Sequence, residues 1–174
     1  PMDVKRGIEA AVEQVKEKLQ KQFPNTKVWA ISADFSKEEE VENLLKQLTD
    51  IDILINNVGI FEIEEFKNIT DQDWYRYFEI NVMSSVRLSR KLLPKMQNNN
   101  WGRIIFISSE SGVNVPENMI HYGMSKAAMS AIANGLSKLT KGTEITVNTI
   151  LGGPTYSDGV AATVEQIAEA QNLE

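Results

Sequence analysis

Apolar and polar positions along this chain follow two rhythms, one near 3.6 residues and one of short unbroken apolar runs. From about Val4 to Gln22, the residues Ile8, Ala11, Val12, Val15 and Leu19 recur on one helical face of an otherwise charged segment. Pro24-Asn25 ends that pattern, and Val28–Ala33 reads as a short strand. Ser36 and Glu39 have the spacing of a capping box and start a second helix, with Val41, Leu44, Leu45 and Leu48 as its stripe. Ile51–Ile55 is an apolar run closed by Asn56-Asn57-Val58-Gly59, the pattern of a strand buried on both faces. Thr70 and Asp73 repeat the capping spacing ahead of a third helix, which runs through Trp74, Phe78, Val82, Val86 and Leu93 to about Gln97. Beyond an Asn-rich loop, Arg103–Ile107 is another buried strand, ending in Ser108-Ser109. A loop with Gly112 and Pro116 leads to a helix over about 119–141, then a strand at Glu144–Leu151 and a last amphipathic segment, 160–173.

Strands and helices in this alternation predict crossover connections, hence a parallel sheet with helices on both faces. No repeat, linker or low-complexity segment interrupts the 174 residues, so one α/β domain spanning 1–174 is expected. Composition narrows the function classes. Eighteen basic against 24 acidic residues leave a net charge of −6, which argues against nucleic-acid or anionic-membrane partners. No apolar run approaches the ~20 residues that cross a bilayer, and the charged N-terminal segment has no signal-peptide core. These features point to a soluble cytoplasmic protein. With no Cys and a single His, a disulfide framework, a thiolate nucleophile and a Cys- or His-based metal site all lack their residues.

In open parallel sheets, ligands gather at the carboxyl ends of the strands. Asp34, Asn56–Gly59, Ser108-Ser109 and Gly152–Thr155 stand at those ends. Polar strand ends are also what ordinary loops look like, and an Asn-Gly cluster is by itself a turn. Tyr122 and Lys126 are four apart on a helix and share a face. An ammonium beside a phenol favours the phenolate, drawing a reference pKa of about 10 toward working pH. Such a tyrosine suits general acid/base exchange between a hydroxyl and a carbonyl. A solvated surface pair has the same spacing. His121 lies on a different face of that helix, and Trp74, Phe78 and Met83 read as core or subunit-contact residues.

Taken together, "NNVG", "FEINVMSSVRLSR", "GRIIFISSESG", "YGMSK" and "VNTILGGPTYSDG" resemble the short-chain dehydrogenase/reductase family in order and spacing, over about Ala33 to Gly159. The resemblance implies an incomplete Rossmann-like sheet of about four strands and an NAD- or NADP-dependent oxidoreductase acting on a small-molecule alcohol or carbonyl. It makes Tyr122 the acid/base and Lys126 the residue that tunes it and holds the nicotinamide ribose. Ser109 would orient the substrate oxygen, and Asn81 would hold a water in the relay to Lys126. Asp34 matches the adenine contact, Asn57 and Gly59 the turn along the adenosine, and Thr155 and Ser157 the segment that holds the carboxamide. Helices 71–97 and 119–141 match the subunit contacts of a homo-oligomer.

The sequence departs from the family at Gly152, where the family has proline, and in lacking the glycine-rich strand-turn-helix and the last strand. The residues that choose between NAD and NADP belong to that part of the fold, so the choice is not readable. A fragment of a full-length enzyme is the expectation. A truncated, non-catalytic relative serving in binding or oligomerisation is the alternative, and an unrelated doubly wound nucleotide-binding regulator is a third.

Overall fold

The computed structural model describes residues 2–153; the segment expected at 160–173, with Thr155 and Ser157, lies outside them. The chain divides into two compact units, residues 1–48 and 49–174.

In the first unit, α1 (Met2–Gln22) forms where the apolar stripe predicted a helix. Gln20 closes the turn beyond it, its amide donating to the Thr26 carbonyl at 2.8 Å and accepting from the Val28 N–H at 3.3 Å. Two expectations fail here. Residues 28–33 are extended but join no ladder, so the sheet has three strands among the described residues where four were expected. An extended segment becomes a strand only when a neighbour takes up its N–H and C=O groups, and apolar pattern alone does not supply one. Ser36 also fails to cap α2 (Glu38–Gln47). Its N–H and hydroxyl both donate to Asp34 Oδ1, at 2.9 and 2.6 Å, and the helix starts later, behind Lys37, with no side-chain cap. Asp34 wins because its carboxylate closes a local turn two residues on.

The second unit holds the sheet. Strands β1 (Ile53–Asn56), β2 (Trp101–Ser109) and β3 (Glu144–Gly152) are parallel in the order β1-β2-β3, with Ile55 opposite Ile105 and Ile105 opposite Asn148. The long third helix is one rod in three parts: α3 (Asp71–Tyr77), a π-helical stretch (Phe78–Met83) and α4 (Ser84–Asn98). Its predicted start holds. Thr70 Oγ1 accepts from the Asp73 N–H at 3.3 Å, and Asp73 Oδ2 accepts from the Thr70 N–H at 3.0 Å. Helix α5 (Ile120–Leu139) follows the loop after β2.

Helices α4 and α5 lie on one face of the sheet, over Leu54, Ile104, Phe106, Ile145 and Val147, all buried. Gly102 lets α4 approach β2: a Cβ there would sit 2.6 Å from the Met96 sulfur. On the other face Ile53, Ile55 and Ile150 are each more than half exposed. β1 therefore alternates exposed and buried, whereas its unbroken apolar run predicted burial on both sides. Among the described residues no helix is long and apolar enough to cross a membrane. Because the strands are parallel, Asn56, Ser109 and Gly152 all end at one edge.

Candidate active site

At that edge β1 delivers Asn56, whose buried amide donates to Ser89 Oγ at 3.4 Å. Asn57 and Gly59 follow it, both exposed. Gly59 borders a small polar hollow: a Cβ at this position would lie 3.4 Å from Asn81 Oδ1 and 3.5 Å from Lys126 Nζ. A methyl group there would touch both at ordinary contact distance.

Asn81 comes from the π-helical stretch, a widening of the helix that re-aims side chains and recurs at functional sites. It is fully buried, and its side chain is already engaged. Oδ1 accepts from the Ile60 N–H at 2.7 Å, while Nδ2 donates to the Ile60 carbonyl at 3.0 Å and to Ser125 Oγ at 2.9 Å. The residue expected to hold a water thus clamps the loop after β1 onto α5 through its side chain. Only the second lone pair of Oδ1 is left to face the hollow.

Strand β2 ends in two serines with different tasks. Ser108 is buried and donates to the Lys126 carbonyl at 2.8 Å, tying the strand to α5. Ser109 is 9% exposed and its Oγ accepts from the Ser111 N–H at 3.1 Å, which leaves its O–H free to donate outward. The short turn after it is pressed against α5. A Cβ on Gly112 would lie 2.9 Å from the Ala127 nitrogen, and one on Gly123 would lie 2.6 Å from Val115 Cγ1 and 2.8 Å from the Ser111 carbonyl.

Helix α5 supplies the pair singled out by spacing. Tyr122 is half-buried, its ring edge-on to Phe61 at 6.2 Å. Lys126 Nζ lies 5.6 Å from the centre of the Tyr122 ring and donates to the Ile107 carbonyl at 2.9 Å. Lys126 is only 6% exposed, and burial pushes its ammonium below the usual lysine range. Among the described residues no carboxylate lies within ion-pair distance of it. Sequence reasoning missed Ser125, which is fully buried, donates to the Tyr122 carbonyl at 2.7 Å and accepts from Asn81. Its signal was a hydroxyl three residues after the tyrosine, a spacing that back-bonds inside a helix. His121 is buried as well, and desolvation pushes its imidazole below the ordinary value of 6.5.

Asp34 belongs to the first unit. Its carboxyl is held below the usual range, chiefly by the Ser36 hydroxyl, and Oδ2 pairs with Lys37 at 3.1 Å. Tyr122, Lys126, Asn81 and Gly59 are therefore brought together, Ser109 stands at the same strand edge, and Thr155 and Ser157 fall outside the described residues. A separate groove of about 510 Å³, lined by Ile63–Phe66 with Glu117 and Asn118, contains none of them.

A family model described as short chain dehydrogenase matches residues 4–168. The "uncharacterized oxidoreductase YvrD" of Bacillus subtilis (strain 168) is 47% identical over 146 residues, which is 82% of this chain and 56% of that protein. A short-chain dehydrogenase from Sphingobium yanoikuyae in complex with NADPH superposes with a TM-score of 0.78 at 26% identity, over 87% of this chain and 61% of that one. An NAD+-bound xylitol dehydrogenase superposes at 0.81 with 25% identity, over 92% of this chain and 64% of that one. The chain spans 56% to 62% of the length of the two Bacillus subtilis relatives it matches.

Proposed function

The chain belongs to the short-chain dehydrogenase/reductase family, and from that premise we propose that it carries the acid/base centre of an NAD(P)-dependent oxidoreductase interconverting a hydroxyl and a carbonyl. The observation that carries this reading is Lys126. A lysine buried to 6% exposure, bonded to a single carbonyl and without a counter-charge among the described residues, is unfavourable for folding. Perturbed groups of that kind cluster where chemistry is done. Here the ammonium stands 5.6 Å from the centre of the Tyr122 ring, on the same helix face.

The residues fit a nicotinamide dinucleotide, with NAD and NADP both open. The hollow beside Gly59 offers one acceptor, Asn81 Oδ1, and one donor, Lys126 Nζ, a pair suited to a ribose hydroxyl. Asp34, Asn57, Thr155 and Ser157 are the further proposed contacts, on the adenine, adenosine and carboxamide sides. The bound dinucleotide supplies or accepts the hydride. Tyr122 Oη exchanges the proton with the substrate oxygen, and Ser109 Oγ–H donates to that same oxygen and orients it. Asn81 holds Ile60 and Ser125 in place, and Ser125 in turn holds the Tyr122 carbonyl. Self-association through helices 71–97 (α3, the π-helical stretch and α4) and 119–141 is proposed too, supported by exposed Tyr75 on α3, Phe78 in the π-helical stretch and Leu139 on α5.

The test is Tyr122→Phe in the full-length protein. Turnover of an alcohol panel should fall by about 10²–10⁴, the usual worth of a positioned acid/base. The upward shift in melting temperature with NAD(H) or NADP(H) should persist. A variant that keeps full turnover removes Tyr122 from the chemistry; a wild-type protein that neither dinucleotide stabilises points to a binding or assembly role.

A further inference from the structure

His121 takes no part in the chemistry above, yet the fold buries it to 1% exposure. Its ring centre lies 4.1 Å from that of Tyr77 and 6.2 Å from that of Trp74, both on α3. Its Nδ1 and the Tyr77 hydroxyl are both buried without a hydrogen-bond partner among the described residues. Two unpaired polar atoms in one small cluster are unfavourable, and apolar rings of the same shape would avoid the loss. Helix α5 also begins without help: Met119, at its N-cap, makes no side-chain cap bond. The first turn, which carries Tyr122, therefore depends on tertiary anchors. On one side it has the close approach of Gly123 to Val115 and Ser111. On the other it has His121.

We infer that His121 is a positioning residue: wedged against Tyr77 and Trp74, its neutral ring fixes the first turn of α5 and so aims Tyr122. The groups facing the imidazole are Glu62 and Glu64 from the loop after β1, and Asp73 and Arg76 from α3. Arg76 is itself paired with Glu62 at 3.1 Å. The carboxylates favour a charged ring, but burial outweighs them and keeps it neutral. The sign follows: the unfolded chain binds this proton near pH 6.5 and the folded chain only lower. The anchor's stabilisation is thus complete above about pH 6.5 and is lost as the pH falls through the folded pKa.

The inference rests on Tyr122 being the acid/base, so its test includes measurements that need no turnover. This is the chain's only histidine, and ¹⁵N NMR of its ring, assigned by loss of the signal in His121→Phe, should show one fixed neutral tautomer at pH 7. Amide exchange of residues 120–124 should speed up as the ring becomes charged. His121→Ala, which empties the wedge, should speed that exchange about tenfold or more and cut kcat by about 10- to 100-fold, the effect of a small misplacement, with dinucleotide KM little changed. His121→Phe should restore kcat and abolish the acid dependence of exchange, since it fills the space and cannot be charged. Should the alanine variant not fold, the phenylalanine variant and the wild-type NMR titration decide. A ring that titrates at the ordinary value with no change in exchange overturns the inference, and so does an alanine variant with native exchange and kcat. A phenylalanine variant that loses kcat while exchange stays native also overturns it, because the imidazole would then be acting in the chemistry. Absence of turnover in the wild type would sink the proposed reaction and leave the NMR and exchange results to judge the wedge.

Discussion

Lys126 shows how one side chain sets stability against chemistry. Its ammonium has lost nearly all its water and has received one carbonyl in return. Because its folded pKa lies below 10.5, the unfolded chain holds a proton between those two values that the folded chain lacks. Stability should therefore rise with pH through that window, and below it the folded state carries the full desolvation penalty. Lys126→Met should abolish turnover while matching or exceeding the wild-type melting temperature at pH 7, with the advantage shrinking as the pH climbs toward 10.5. Thermal melts of both proteins at pH 7 and pH 9 check this; a methionine variant markedly less stable at pH 7 would contradict it. The Tyr122/Lys126 pair could be read from the chain because a four-residue spacing on a helix fixes a shared face. Ser108 and Ser125 could not, since a serine on a helix or at a strand end has many uses and only packing selects one.

At the scale of elements, local rules held where nothing competed with them. The box at Thr70 and Asp73 formed as spaced, whereas the same spacing at Ser36 and Glu39 lost to the carboxylate of Asp34 two residues upstream. Asn81 could be picked out by motif, but its direction could not, because the π-helical stretch around it breaks the 3.6-residue phase on which face assignments rest. The close seat of the 110–116 loop on α5 is likewise invisible before folding. It yields a sharp expectation for Gly123→Ala, whose methyl group would meet Val115 Cγ1 at 2.6 Å. Overpacking of this sort costs about 1–3 kcal/mol. Val115→Ala in the same chain should recover part of that loss but not all, since the Ser111 carbonyl still stands 2.8 Å away. Urea midpoints of the two single variants and the double variant measure the coupling; strictly additive losses would show that the two positions do not touch.

For the whole molecule, the parallel order and the edge that gathers the site followed from the alternation of strand and helix. The number of strands did not, because a β-like run such as 28–33 says nothing about where its partner is. Nor did the exposure of one sheet face, where Ile53 and Ile55 stand at 53% and 57%. Ile53→Lys with Ile55→Glu should leave the melting temperature of this chain nearly unchanged, as surface substitutions shift stability by about 0.5 kcal/mol or less. A large drop in melting temperature would mean that this face is covered in solution.

The π-helical stretch at Phe78–Met83 also bears on which changes of length this chain tolerates. A π turn holds one residue more than an α turn, so losing a single codon there would let the rod become regular. Each residue of an α-helix accounts for about 100° of rotation and 1.5 Å of rise. Such an in-frame deletion would remove the widening that re-aims Asn81 but keep α3 and α4 in phase, with Trp74 and Tyr77 still against the ring of His121. Along these six positions the rod can give up one residue without turning α3, whereas a further inserted residue would have to turn it by about 100°.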